Sequence, residues 1–153
     1  MDAVYRLTSA ILGDEADARD AAQETFVAVW RELPRLRDSA RFDAWLQRVA
    51  VNASRMTLRA RGRRRLREIP ASEVAALPRA AEPIERPDTA LLDRALRTLD
   101  VESRAILVLH HLEGRPLAEI AAILEIPVGT TKSRLFKARR RLEAALRADE
   151  GVR

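Results

Sequence analysis

Apolar residues recur along this chain at spacings of three and four, and no stretch shows the strict alternation of a strand. The pattern therefore predicts helices from end to end, an all-α chain. Its clearest period lies in Pro116 to Leu146. Leu117, Ile120, Ala121 and Leu124 share one face, with Pro116 tolerable in the opening turn, where its missing N–H costs nothing. Ile126-Pro127-Val128-Gly129 interrupts the pattern, because Pro127 disfavours helical backbone at the residue before it. A second period then puts Val128, Thr131, Leu135, Ala138, Leu142 and Ala145 on one continuous buried face.

At about 100° per residue, Ser133, Phe136, Lys137 and Arg140 point away from that face, flanked by Lys132 and Arg139. A short helix, a tight turn and a long basic helix with small hydroxyls, cations and a ring at its front make a helix-turn-helix suited to a DNA major groove.

The N-terminal half reads the same way. Val4, Leu7, Ala10 and Ile11 point inward from a helix over 1–12 that Gly13 ends. Asp14 caps a second helix running to about Glu32, with Ala18, Ala22, Phe26, Val29 and Leu33 as its expected buried stripe, and Pro34 ends it. Its opening turns carry Asp17, Asp20 and Glu24, which either stabilise the helix start or present an acidic docking face to a basic partner. After the loop Arg35–Arg41, a third helix is expected from Phe42 to about Ala60, with Phe42, Trp45, Leu46, Val49, Ala53 and Met56 inward. Trp45 fits such a stripe better as core than as a base-stacking ring.

Ile69 to Asp88 holds four prolines and no sustained apolar face, which reads as a linker and the expected site of proteolysis. Beyond it, Leu92, Ala95, Leu96 and Leu99 mark one helix. Asp100 caps the next, whose Val101, Ile106, Leu107, Leu109 and Leu112 point inward. The expected units are thus 1–68 and 89–153, joined by 69–88.

Charge changes this picture most. The 153 residues carry a surplus of +5, which suits an anionic partner such as nucleic acid. From Arg41 to Arg67 there are nine arginines against one acid, Asp43. A run so one-sided repels itself unless an anion neutralises it. Asn52 on the same helix could pair with a base edge. The absence of cysteine removes disulfides, thiolate metal sites and cysteine nucleophiles. His110-His111 cannot form a metal site alone, and no phosphate-binding glycine loop or nucleophile constellation is present. No apolar run reaches membrane-spanning length and no signal-peptide layout opens the chain, so a soluble, cytoplasmic protein is expected.

Three strings in order, DARDAAQETFVAVW, RFDAWLQRVAVNASRMTLRARGRRR and LDVESRAILVLHHLEGRPLAEIAAILEIPVGTTKSRLFKARRRL, resemble the bacterial sigma factors of the extracytoplasmic-function (ECF) group. The resemblance implies two helical domains, sigma regions two and four, and no enzymatic activity or cofactor. It implies that Asp17, Asp20, Gln23 and Glu24 dock on the clamp helices of core RNA polymerase, with region four on its flap. It implies that the loop with Leu36, Arg37, Asp38 and Ser39, together with Asn52, Arg55 and Arg59, engages the −10 promoter element. On the second basic helix, Thr130, Lys132, Ser133, Phe136, Lys137, Arg139, Arg140 and Arg141 would read or hold the −35 element. An anti-sigma factor is a further implied partner.

Four departures from the family pattern follow. Met1 falls about one helix inside the family's opening region. Leu36 stands where relatives often have an aromatic. Ala21 and Ala22 replace bulkier apolar residues, which implies a thinner core, and Thr131 replaces the usual valine. The competing function is a free-standing helix-turn-helix regulator whose N-terminal half dimerises.

Overall fold

In the computed structural model, residues 2–67 and 89–151 are described, apart from the side chain of residue 150. Among them are seven α-helices and no strand: α1 (Asp2–Leu12), α2 (Glu15–Glu32), α3 (Phe42–Arg67), α4 (Ala90–Arg97), α5 (Val101–Leu107), α6 (Leu117–Leu124) and α7 (Val128–Glu150). The fold is all-α, as the periodicity requires, in two small helical units, α1–α3 and α4–α7. The expected linker 69–88 lies outside the described residues.

Gly13 ends α1 in left-handed backbone, φ +67°, a conformation that costs glycine nothing. Asp14 follows as the cap of α2, its Oδ1 accepting from the Asp17 N–H at 2.7 Å. The Thr8 hydroxyl donates to the Ala18 carbonyl at 3.0 Å and ties the two helices together.

The buried side of α2 is built from Ala18, Ala21, Ala22 and Thr25. Small residues let the backbones of neighbouring helices approach closely, and that leaves no room for the rings expected there. Phe26 is 38% and Leu33 46% exposed, correcting the expected stripe. The same correction applies to α3, whose buried residues are Ala50, Val51, Ala53 and Ser54, while Met56 is exposed. That helix also runs past the expected end near Ala60 to Arg67. Arginine is a good helix former, and the helix continues through Gly62.

In the second unit, Asp100 caps α5, accepting from the Ser103 N–H at 2.8 Å. Burial pushes the Asp100 pKa up, but hydrogen bonds from the Ser103 backbone and hydroxyl, with Arg141 nearby, outweigh it and leave the net shift downward. After α5 the chain passes through a π-helical turn, Val108–Leu112. The wider turn breaks the α register, and Leu112 rotates out to 61% exposure instead of filling the interior. Leu92 and Val128, also expected inward, are exposed as well. Val128 opens α7, where no preceding turn covers it. The bend of the helix-turn-helix is made at Glu125, φ +56°, with the Ile126 N–H bonded to the Ala121 carbonyl at 3.0 Å. Thr131 is fully buried beneath it, its hydroxyl donating to the Pro127 carbonyl at 3.1 Å.

Buried residues of both units form one continuous core. Helix α3 packs on α5 and α6, and α1 packs on α5. Two arginines cross this seam to the end of α1. Arg104 donates to the Leu12 carbonyl at 3.1 Å and Arg97 to the Gly13 carbonyl at 2.9 Å. Burial lowers the Arg104 pKa, partly offset by Asp100 and reinforced by Arg97.

Candidate nucleic-acid interface

The chain between α2 and α3 is two short 3₁₀ turns, Leu33–Arg35 and Ser39–Arg41, with Leu36, Arg37 and Asp38 between them. Asp38 holds the second turn, accepting from the Ala40 N–H at 3.0 Å and pairing with Arg41 at 3.4 Å. The turns curl over Trp45, and a cavity of about 430 Å³ opens among Glu32, Arg35, Leu36, Arg37, Asp38, Arg41 and Trp45. Trp45 is half-buried, its ring tilted 42° against Phe42 at 5.9 Å. It is therefore a cavity wall rather than plain core, and it belongs with the candidate site. Ser39 stays exposed outside the lining.

Asn52 follows Trp45 by seven residues, so it lies on the same face of α3 within about 20° and about 10 Å further on. It is exposed, and its Oδ1 accepts from Arg55 at 3.4 Å. Arg59 continues the stripe into solvent. Arg55, expected on DNA, is instead turned toward the second unit, 3.5 Å from Glu102, with its side chain 18% exposed. Its carboxylate partner lies 47 residues away on the other unit, something no local pattern could show.

On α7 the outward face is as the periodicity demands. Lys132, Ser133, Phe136, Lys137, Arg139, Arg140 and Arg141 are exposed, and Thr130 is half-buried. The Arg140 guanidinium sits 5.9 Å from the centre of the Phe136 ring, a cation–π contact that stiffens both side chains. The flanks are tethered. Arg141 lies 3.9 Å from Asp100, and the Arg139 Nε–H donates to His111 Nε2 at 3.2 Å. That bond needs a neutral imidazole, and burial, then Arg139, then His110 hold the His111 pKa below its ordinary 6.5. His110 meets the Arg115 carbonyl at 3.1 Å. Among the described residues no group of three or more metal-binding side chains occurs.

The acidic face of α2 is smaller than expected. Asp17 is paired with Arg61 at 2.6 Å and only 16% exposed, so it ties α2 to α3 instead of facing a partner. Asp20, Gln23 and Glu24 are exposed. Beside them runs an open apolar groove of about 640 Å³ lined by Tyr5, Ala22, Gln23, Phe26, Val27 and Trp30, among others. Trp30, missed in the sequence, is 85% exposed. Its signal was there: Gln23, Phe26, Val27 and Trp30 fall at the three–four spacing of one helix face, displaced from the alanine stripe.

Comparison with known proteins assigns both units. Residues 1–64 match the Sigma-70 region 2 family and residues 89–142 the Sigma-70, region 4 family. The chain is 34% identical over 148 residues to the RNA polymerase sigma-H factor of Pseudomonas aeruginosa, covering 87% of this chain and 75% of that one. This chain belongs to the ECF RNA polymerase sigma factors. It is 34% identical over 142 residues to the ECF RNA polymerase sigma-E factors of Salmonella typhimurium and Escherichia coli, covering 83% of this chain and 72% of theirs.

Among solved structures, the sigma factor RpoE in complex with the anti-sigma factor NepR from Bartonella quintana superposes with a TM-score of 0.75 at 25% identity, over 97% of this chain and 92% of that one. CnrH in complex with the cytosolic domain of CnrY gives 0.68 at 31% identity, over 97% and 82%. As a sigma factor, the chain is a transcription initiation factor that directs RNA polymerase to promoters. Matches in both units disfavour a free-standing regulator. Among the described residues no helix is long and apolar enough to cross a membrane.

Proposed function

We propose that the two basic surfaces of this sigma factor divide promoter recognition between melting and reading. The pocket between the 3₁₀ turns and Trp45 captures a base extruded from the −10 element, with Leu36, Arg37 and Asp38 as its rim and Asn52 reading a neighbouring base edge. Arg59 and the following arginines hold the backbone. Helix α7 reads the −35 element through Ser133, Phe136 and Lys137, with Lys132 and Thr130 beside them. Arg139, Arg140 and Arg141 meet phosphates where the groove curves away. Asp20, Gln23 and Glu24, with the exposed Trp30 beside them, dock on the polymerase clamp helices, and region four docks on the flap. The chain supplies no catalysis and needs no cofactor; the polymerase does the chemistry, in the cytoplasm. An anti-sigma factor as a further partner is supported by the Bartonella quintana relative, which was solved in complex with the anti-sigma factor NepR.

The observation that carries this reading is the pocket over Trp45, on the same helix stripe as Asn52 and roomy enough to admit a base. The test is transcription with purified core polymerase, with and without the protein, on a promoter located by footprinting. Permanganate then reports strand opening in the wild type and in Asn52→Ala. Opening that falls while association with the promoter holds is the expected result. Unchanged opening would reduce Asn52 to a solvated residue.

A further inference from the structure

Two leucines that periodicity assigns to the interior stand uncovered on the second unit. Leu92 of α4 is 41% exposed, and Leu112, turned outward by the π-helical turn, is 61% exposed. Both line one cavity of about 470 Å³. Its walls come from α1 on one side and from α4, the π turn and α7 on the other, with Leu96 and Leu142 continuing the apolar lining. That volume lies within the range of small-molecule sites, and the lining has their usual make-up, a mostly apolar wall with a few polar groups. Single-turn π insertions of this kind gather at functional sites.

The polar groups stand toward the end of α1. Ser9 and Gly13 are one turn apart there, the Gly13 N–H bonded to the Ser9 carbonyl at 2.8 Å. Arg97 of α4 reaches the same turn and donates from Nη2 to the Gly13 carbonyl at 2.9 Å. Ser9 and Arg97 both line the cavity, and Ser9 Oγ and Arg97 Nε are buried without a hydrogen-bond partner. A buried donor left unpaired is costly, the more so when charged, and an acceptor brought by a ligand removes the cost. Arg6 adds a second cation to the lining, whereas the lining acid, Asp93, already accepts from the Thr89 hydroxyl at 3.2 Å. This balance of charge favours an anionic head group.

We infer that the cavity is a binding site for a small amphipathic monocarboxylate, a free medium-chain fatty acid in its chemistry. The carboxylate bonds Arg97 and Ser9, and the alkyl chain covers Leu92, Leu96, Leu112 and Leu142. A neutral chain of the same length leaves Arg97 unanswered, and a short acid leaves the leucines bare. The ligand touches both units at once, so its binding stabilises their packing. The site is apart from the Trp45 pocket and from the α2 groove, and it does not rest on the assignment of either to DNA or polymerase.

The test is calorimetric titration of the full-length chain with decanoate, kept below its micelle concentration, and with decanol and butanoate for comparison. Decanoate should bind at one site, and the other two at least roughly tenfold more weakly, the scale of a charged hydrogen bond or of a few buried methylenes. Methyl spectra of alanine- and leucine-labelled protein locate the ligand. Shifts are expected at Ala10 of the first unit and at Leu92, Leu112 and Leu142 of the second, with none at the Trp30 indole N–H. Ser9→Ala should weaken decanoate roughly two- to tenfold, the scale of one neutral hydrogen bond, and leave decanol unchanged. Leu112→Glu, a change at an exposed position, sets a carboxylate against the ligand and should abolish measurable binding. Decanol binding as tightly as decanoate overturns the proposal, as does no binding of decanoate by the native chain. Shifts centred on Trp30 overturn it by placing the ligand in the α2 groove, and an unshifted Ala10 overturns the contact with both units. Undiminished affinity in Leu112→Glu, with helical content by circular dichroism showing the variant folded, also overturns it.

Discussion

Helices α3 and α7 are both long and arginine-rich, yet the structure treats them differently. On α7 the buried face (Thr131, Leu135, Ala138) is complete within its own unit, and the opposite face is open to solvent from Ser133 to Arg140. On α3 the buried face packs on α2, while its flank packs on α5 and α6 and loses Arg48 and Arg55 to carboxylates there. A helix whose packing partners all lie in its own unit, as α4, α5 and α6 do for α7, presents the surface its periodicity dictates. A helix with partners on two sides presents only what both leave uncovered. The outward face of α7 is therefore ready-made, whereas the exposed face of α3 depends on how the units are arranged.

The largest effect that would sharpen this contrast is expected at the pocket. Trp45→Ala should lower permanganate reactivity of the −10 region by an amount equivalent to about 1–3 kcal/mol, the usual loss when a base loses its stacking ring. Binding of holoenzyme to the duplex −35 element should change little. Equal loss in both assays would mean that Trp45 is core and that the pocket has no role.

On α7, Lys137→Ala should flatten discrimination among single-base −35 variants by roughly 1–3 kcal/mol on the correct site. Arg141→Ala should weaken all variants evenly and reduce the salt slope by about one. A binding panel at two salt concentrations distinguishes them. Reversal of the two outcomes would mean that α7 enters the groove in another orientation.

A smaller effect separates acids on α2. Asp20→Lys with Glu24→Lys should weaken association with core polymerase and leave helical content nearly unchanged, each costing the helix only about 0.3–1 kcal/mol. Asp17→Asn should instead lower stability to urea by up to about 1 kcal/mol, by breaking its pair with Arg61, and spare core binding. Core affinity that follows Asp17 more than the other two would contradict the division.

The smallest effect is pH-dependent. His111 has its pKa lowered in the folded protein, so the unfolded chain takes up a proton first as pH falls through 6.5. Stability should therefore decline slightly below that pH, as the Arg139–His111 bond loses its acceptor. His111→Asn should flatten the decline in urea titrations at two pH values, and a decline that persists would assign it to other groups.

Helices, caps and the exposed face of α7 were legible in the sequence because each depends on residues near one another in the chain. Asp14 and Asp100 cap helices through the N–H three residues on, and Gly13 supplies a left-handed stop. The alanine positions 21 and 22 were read as a thinner core, and they are indeed fully or almost fully buried. What they also did was harder to read: tight backbone approach expelled Phe26 and Leu33, and with Trp30 they line or border surface instead of core. Likewise the π turn that rotates Leu112 outward has no sequence mark of its own.

By itself, the sequence determined the helical composition, the helix-turn-helix, the outward face of α7 and the excess of positive charge, because period and net charge are properties of short range or simple sum. Tertiary structure alone decided the pairing of Asp17 with Arg61, the capture of Arg48 and Arg55 by Glu125 and Glu102, and the enclosure of Trp45 beneath the 3₁₀ turns. Those pairs are separated by tens of residues, and the free energy of an ion pair depends on distance and burial, which a linear pattern does not carry.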